Sequence, residues 1–263
     1  FISHHEMNAG KIVRKDAAGE EVRPVLDFSF TKNVLAIFIS MFVLIFIFLS
    51  VAKAYKRREG MAPKGLQSFL EPVIIFVRDD IAKASIGEKK YRKYLPFLLT
   101  VFFFILINNL LGIVPFFPGG ANVTGNIGVT GVLALFTFII TTFSGNKAYW
   151  THIVNAPGVP WWLKIPIPLM PIVELMGVFT KPFVLMVRLF ANISAGHIII
   201  LGFISLIFIF GEISAGAGYG VAVVSVAFSI FMDVLEILVA FIQAYVFTLL
   251  SALYFGMATE EHH

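Results

Sequence analysis

The residues that could do chemistry lie inside two long apolar stretches in the second half of the chain. The first stretch holds Glu174, Lys181, Arg188, Asn192 and His197, and the second holds Asp233, Glu236 and Gln243. A charge near the centre of a bilayer costs about 2.5 to 3.5 kcal/mol, so such residues persist where they act. Arg188 is the most informative, because a guanidinium keeps its proton whereas Lys, Glu and His can exchange theirs.

Helical spacing sorts these side chains onto faces. At 3.6 residues per turn, one stripe of the first stretch carries Glu174, Lys181, Arg188 and Asn192. Glu236 and Gln243 share a face of the second stretch, whereas His197 falls on the side of an ideal helix opposite Arg188. A fixed charge blocks bare cations, yet titratable His197 and Glu236 indicate that protons approach it. The pattern predicts a proton path interrupted by an arginine, which becomes productive if a partner carries a carboxylate past it.

Structural roles stay open for most of these residues: an ion pair or snorkelling for Glu174 and Lys181, interhelical hydrogen bonds for Asn108, Asn109, Asn192 and Gln243, and a mutually satisfied pair for His197 and Glu236. Arg188 fits a purely structural role least well, since it cannot shed its charge.

The composition excludes an ordinary soluble domain. Of 263 residues, 58% are hydrophobic and 14% are charged, against roughly a quarter charged in soluble domains. The net charge of +4 does not indicate nucleic acid, because the basic residues lie beside apolar runs, where anionic lipid headgroups are the expected partner. The chain has no Cys, no phosphate-binding glycine loop and no metal-ligand spacing, so we expect no metal and no cofactor.

The apolar pattern predicts an all-α polytopic membrane protein. Runs long enough to cross the hydrocarbon core predict upright transmembrane helices at 33–52, 95–117 and 127–143. Apolar side chains at intervals of three and four predict an interfacial amphipathic helix over 65–84. More than half of the Lys and Arg residues lie between the first two spans, which places that loop inside and residues 1–31 as an N-terminal segment outside a membrane domain of 32–263.

Two further apolar runs, 172–210 and 219–256, are too long for simple spans. At 1.5 Å per residue, the first would reach about 58 Å, nearly twice the thickness of the hydrocarbon core. We therefore expect two long, tilted, antiparallel helices joined by a glycine-rich turn at 211–218, with a kink at Pro182. Breaking each run into two helices is the alternative.

The segment 181–197, KPFVLMVRLFANISAGH, closely resembles the essential-arginine region of subunit a of F-type ATP synthase. The resemblance covers the chain from Lys32 onward and implies that Arg188 faces a carboxylate of the rotor. It implies an outer half-channel lined by Asn192, His197, Glu236 and Gln243, with Asn109 and Asp233 as further candidates. Glu174 and Lys181 would lie toward the inner half-channel. Many bacterial members have Glu at the position of His197 and His at that of Glu236, so this chain exchanges the pair.

The resemblance also implies partners and a location. The partners are the c-ring of the rotor, b-type peripheral stalk subunits, the remainder of the synthase and membrane lipid. The location is a bacterial inner membrane, with the N-terminus outside and the C-terminus in the cytoplasm. The chain would not be catalytic alone.

Two other classes of protein compete with this interpretation. A secondary cation transporter could use Arg188 as a substrate clamp, but that class favours internal repeats, which the sequence does not show. An intramembrane lipid transferase would need a nucleophile or metal cluster near the interface, and His152 alone is a poor candidate.

Overall fold

The computed structural model describes residues 14–15, 21–22, 32–57, 62, 64–114, 123–154 and 169–260. Helices dominate this part of the chain, and five of them are long and apolar enough to cross a membrane. The predicted all-α membrane class is confirmed. Two short strands that the sequence did not predict, β1 (Arg14–Lys15) and β2 (Glu21–Val22), pair antiparallel within the N-terminal segment.

The connection between the first two spans is itself helical. Helix α1 spans Lys32–Arg57 and therefore extends past the predicted end at residue 52. It is followed by α2 (Leu66–Phe76), which continues through a π-helical stretch (Val77–Lys83) into α3 (Ala84–Ile86). The segment 65–84, predicted as an amphipathic helix, buries part of its apolar face against the rest of the chain, since Val77, Ile81 and Ala82 are fully buried. Whether this helix lies in the membrane surface stays a prediction.

The second and third predicted spans are helices with shifted bounds. Helix α4 spans Tyr91–Ile113 and α5 spans Ile127–Ser144. The predicted bounds of 95–117 were wrong at both ends. The helix begins earlier, at Tyr91, because Tyr91 and Tyr94 are buried in the core. It ends earlier, at Ile113, because the backbone of Val114 is already extended. A short helix, α6 (Lys147–Val154), lies in the polar return segment and was not predicted.

The two long runs form continuous helices. Helix α7 spans Leu169–Ile213 and α8 spans Ala215–Thr259, with 45 residues each, or about 68 Å of helix. The alternative of broken helices is excluded, and α7 continues through Pro182. The predicted eight-residue turn was too long, because only Ser214 separates the helices, and its hydroxyl caps α8 by accepting a hydrogen bond from the Ala217 amide at 3.1 Å. Their tilt in the bilayer stays an inference from length.

The core lies between α4, the helical segment from Leu66 to Ile86 and the second half of α8. Phe102, Leu98 and Phe255 are fully buried, and the Phe255 ring stacks on Tyr94 at 5.0 Å. Helix α7 is different, because among its described side chains only Leu185 and Leu189 are buried. The helix that carries Arg188 thus packs on α5 and α8 and leaves most of its surface uncovered.

Candidate functional site

Arg188 lies near the middle of α7 on its uncovered surface. The side chains of Arg188 and of Asn192, one turn further along, are both exposed. Within the described parts of the chain, no carboxylate lies within 4 Å of the Arg188 guanidinium. Arg188 is thus a permanently charged group in the middle of an apolar helix, with no charged partner among the described residues.

His197 and Glu236 meet across the two long helices. Nδ1 of His197 lies 3.1 Å from Oε1 of Glu236, and the two side chains are 30% and 11% exposed. Asp233 is exposed about one turn before Glu236, and its charge acts on the His197 ring. The structure thus brings together an acid and an imidazole, nine residues from Arg188 toward the α7–α8 turn.

Gly196 makes this contact possible. A Cβ built at Gly196 would overlap Oε1 of Glu236 and lie 3.0 Å from its Cδ. Gly196 lies within the motif at 181–197, but its role could not be predicted, because the need for glycine appears only when α8 packs on this turn of α7.

Asn109 belongs to a buried polar contact between α4 and α8, and Gln243 is buried nearby along α8. Asn109 Nδ2 donates to the Ala240 carbonyl of α8 at 3.3 Å, and Asn109 Oδ1 accepts a hydrogen bond from Thr124 Oγ1 at 2.6 Å. Gln243, 4% exposed, lies less than one turn beyond Ala240. The hydrogen-bonding alternative thus holds for Asn109. Thr124 was missed because nothing in its short polar segment indicates a partner on α4.

Lys181 and Glu174 lie in the N-terminal part of α7, at the end of the helix pair opposite the α7–α8 turn. Lys181 is half-buried, with Nζ 5.6 Å from the centre of the Tyr254 ring. In the described part of the chain no ion pair joins it to Glu174, so that structural alternative is not seen. Burial, and secondly the charge of Glu174, raises the pKa of Tyr149 on α6.

The polar stripe predicted on α7 is therefore divided. Arg188 and Asn192 are exposed, whereas Glu174 and Lys181, nearer the N-terminal end of α7, are half-buried. Across the described residues, no three His, Cys, Asp or Glu side chains converge as metal ligands would. What the arrangement can do chemically is exchange protons at His197 and Glu236 and present a fixed charge at Arg188.

The amino-acid sequence matches a known protein family over most of the chain. Residues 34–256 match the family described as ATP synthase A chain, a range that contains every candidate site residue. The chain belongs to the ATP synthase A chain family. Its predicted resemblance to subunit a is thereby confirmed.

Individual relatives agree with the family match. The chain is 46% identical to ATP synthase subunit a of Chloroherpeton thalassium over 244 residues, which cover 90% of this chain and 69% of that protein. It is 45% identical to ATP synthase subunit a 2 of Prosthecochloris aestuarii, covering 98% and 78%. It is 40% identical to ATP synthase subunit a of an Anaeromyxobacter strain, covering 96% and 60%.

Proposed function

We propose that this chain is the proton-conducting stator subunit of the membrane motor of an ATP synthase. It couples proton flow to rotation of a c-ring whose hairpins carry a carboxylate, and b-type stalk subunits hold it against the soluble part of the synthase. The observation that carries the proposal is Arg188, exposed in the middle of α7 with no carboxylate partner among the described residues.

The chemistry of Arg188 suits this role. A rotor carboxylate that has released its proton inside the membrane is unstable unless a cation lies beside it. Arg188 supplies that cation and cannot itself accept or release a proton near neutral pH, so it does not short-circuit the two sides. The ring must then turn to carry each protonated carboxylate around the rest of its circle.

The remaining polar residues provide access on either side of Arg188. His197 and Glu236, with Asn192 and Gln243, form the outer half-channel, and Asn109 and Asp233 lie at its edge. Glu174 and Lys181 belong to the inner half-channel. This assignment follows their positions along α7 and α8, with the α7–α8 turn outside and the C-terminal end of α8 in the cytoplasm.

Copurification tests the assembly part of this proposal. The chain, extracted from its native membrane in mild detergent, is expected to bring down two groups of proteins: a small helical hairpin with a mid-helix carboxylate, and soluble nucleotide-binding subunits. Mass spectrometry of the purified material identifies both. A lone chain or a homodimer that catalyses solute uptake after reconstitution would instead favour the secondary transporter.

A double exchange tests the outer half-channel. The variants His197→Glu and Glu236→His are each expected to lose proton pumping, because each leaves two like groups in contact. The combined variant restores an acid and an imidazole and should regain activity, with a coupling of about 0.5 to 3 kcal/mol typical of residues in contact. ATP-driven acidification of membrane vesicles measures all three.

The matched control moves the imidazole by one turn. His197→Glu combined with Asp233→His has the same number of acids and imidazoles as the double exchange, but it places the new histidine about one turn before position 236. It should stay inactive. If the double exchange is no better than this control, His197 and Glu236 do not act as a pair.

A further inference from the structure

Two cations on α7 share one stripe but differ in their surroundings. Lys181 lies seven residues before Arg188, about two turns, so both cations approach the same side of the helix. Arg188 is exposed, whereas Lys181 is half-buried and its Nζ lies 5.6 Å from the centre of the Tyr254 ring on α8. That distance is within the range of a cation–π interaction.

A small polar cavity beside Lys181 favours the position of its ammonium group next to Tyr254. Lys181 and Tyr254 line a cavity of about 10 Å³ with hydroxyl-bearing residues of α5, Thr137, Thr141 and Thr142. A cavity of this size holds about one water molecule. Within the described structure, the buried Oγ1 of Thr142 has no hydrogen-bond partner, so it is a ready acceptor for an ammonium proton or for that water.

We propose that Tyr254 is a positioning residue, which holds the Lys181 ammonium against α8 so that Arg188, rather than Lys181, meets the rotor carboxylate. This inference rests on the function proposed above. A lysine released from the ring has a long flexible side chain and a compact charge, and it can pair with a carboxylate. Paired there, about 10 Å along the axis from Arg188, it would hold the carboxylate at the wrong level.

Substitutions at Tyr254 separate the ring from the hydroxyl. Tyr254→Leu removes the aromatic face and should shift the Lys181 population away from α8 by about 2- to 30-fold, the range of cation–π interactions. We expect proton pumping per ATP hydrolysed to fall several-fold. Tyr254→Phe retains the aromatic face and should pump close to the unmodified level. The readout is acidification of vesicles containing the whole synthase, divided by the ATPase rate.

The decisive variants remove the competing cation. In a Lys181→Met background there is no ammonium to release, so adding Tyr254→Leu should cause no further loss. The matched control is Tyr245→Leu, another half-buried tyrosine of α8, which packs on Phe76 and contacts no described cation. Any defect of Tyr245→Leu should be unchanged by Lys181→Met.

Two outcomes would overturn the inference. One is an equal loss in Tyr254→Phe and Tyr254→Leu, and the other is a full further loss when Tyr254→Leu is added to Lys181→Met. If Tyr254→Leu does not assemble, Tyr254→Gln, which also lacks the ring, provides the same comparison. These outcomes leave the proposed function standing, because that function is tested separately, by copurification and by the Arg188→Ala variant.

Discussion

Replacing Arg188 by alanine is expected to abolish ATP-driven proton pumping while the synthase still assembles. Without the guanidinium, a deprotonated rotor carboxylate bears the full cost of a charge in the membrane, about 2.5 to 3.5 kcal/mol, or roughly a 100-fold lower population. Assembly should survive because Arg188 is exposed and, within the described structure, has no ion pair to lose. Acidification of vesicles, with the amount of assembled synthase measured in parallel, checks both statements.

Two companion variants sharpen the test of Arg188. Arg57→Ala removes an exposed arginine at the C-terminal end of α1 and should leave pumping intact. Arg188→Lys keeps a cation but replaces the planar, permanently charged group by an ammonium that can lose its proton, so recovery should be slight. Normal acidification by Arg188→Ala would show that the exposed guanidinium is not the coupling residue, and the function would have to be rebuilt around other groups.

The membrane helices could be predicted because a long apolar run in a bilayer can adopt few backbone conformations other than a helix. In the hydrocarbon core backbone amides must be paired within the protein, which leaves helices and closed barrels, and runs as long as α7 and α8 fit helices rather than barrel strands of about ten residues. Their ends were less predictable. The glycines at 211–218 suggest a turn, yet they remain helical because α7 and α8 pack together there and a single capped residue, Ser214, completes the reversal.

The start of α4 shows the same limit. A run of basic residues at 89–93 has the composition of a surface loop, but the aromatic ring of Tyr91 lies within it and is buried. Tertiary packing therefore overrides local composition and begins the helix four residues earlier than the predicted span.

Site residues could be predicted from the sequence where their chemistry alone identifies them. They could not be predicted where their role depends on the register between two packed helices. Arg188 and the polar set on α7 are visible because charge is rare in apolar runs. The roles of Gly196, Thr124 and Tyr254 depend on which turn of one helix meets which turn of another. Nothing local in the sequence places Tyr254 opposite Lys181, 73 residues away.

Gly256→Ala is expected to destabilise the chain most among single glycine substitutions in α8. A Cβ at Gly256 would overlap the carbonyl oxygen of Ser85 in α3 and lie 3.1 Å from its carbonyl carbon. Both are backbone atoms, so α8 itself must move. That end of α8 is also fastened by Asn146 and Lys90, whose side chains donate to the Thr259 carbonyl at 3.0 and 2.8 Å. Movement at Gly256 would weaken those contacts too.

The expected cost of Gly256→Ala is about 1 to 3 kcal/mol, as for other overpacked sites, which lowers the melting temperature by about 2 to 10 °C. Gly220→Ala is the matched control, because it lies in the same helix with nothing within 4 Å of the new methyl group. There alanine should stabilise slightly, since glycine in a helix is worse by about 0.5 to 1 kcal/mol. Thermal unfolding of the two variants in one detergent compares them directly. Equal melting temperatures would mean that α8 moves away from Ser85 without cost, and that this contact does not fix the C-terminal end of α8.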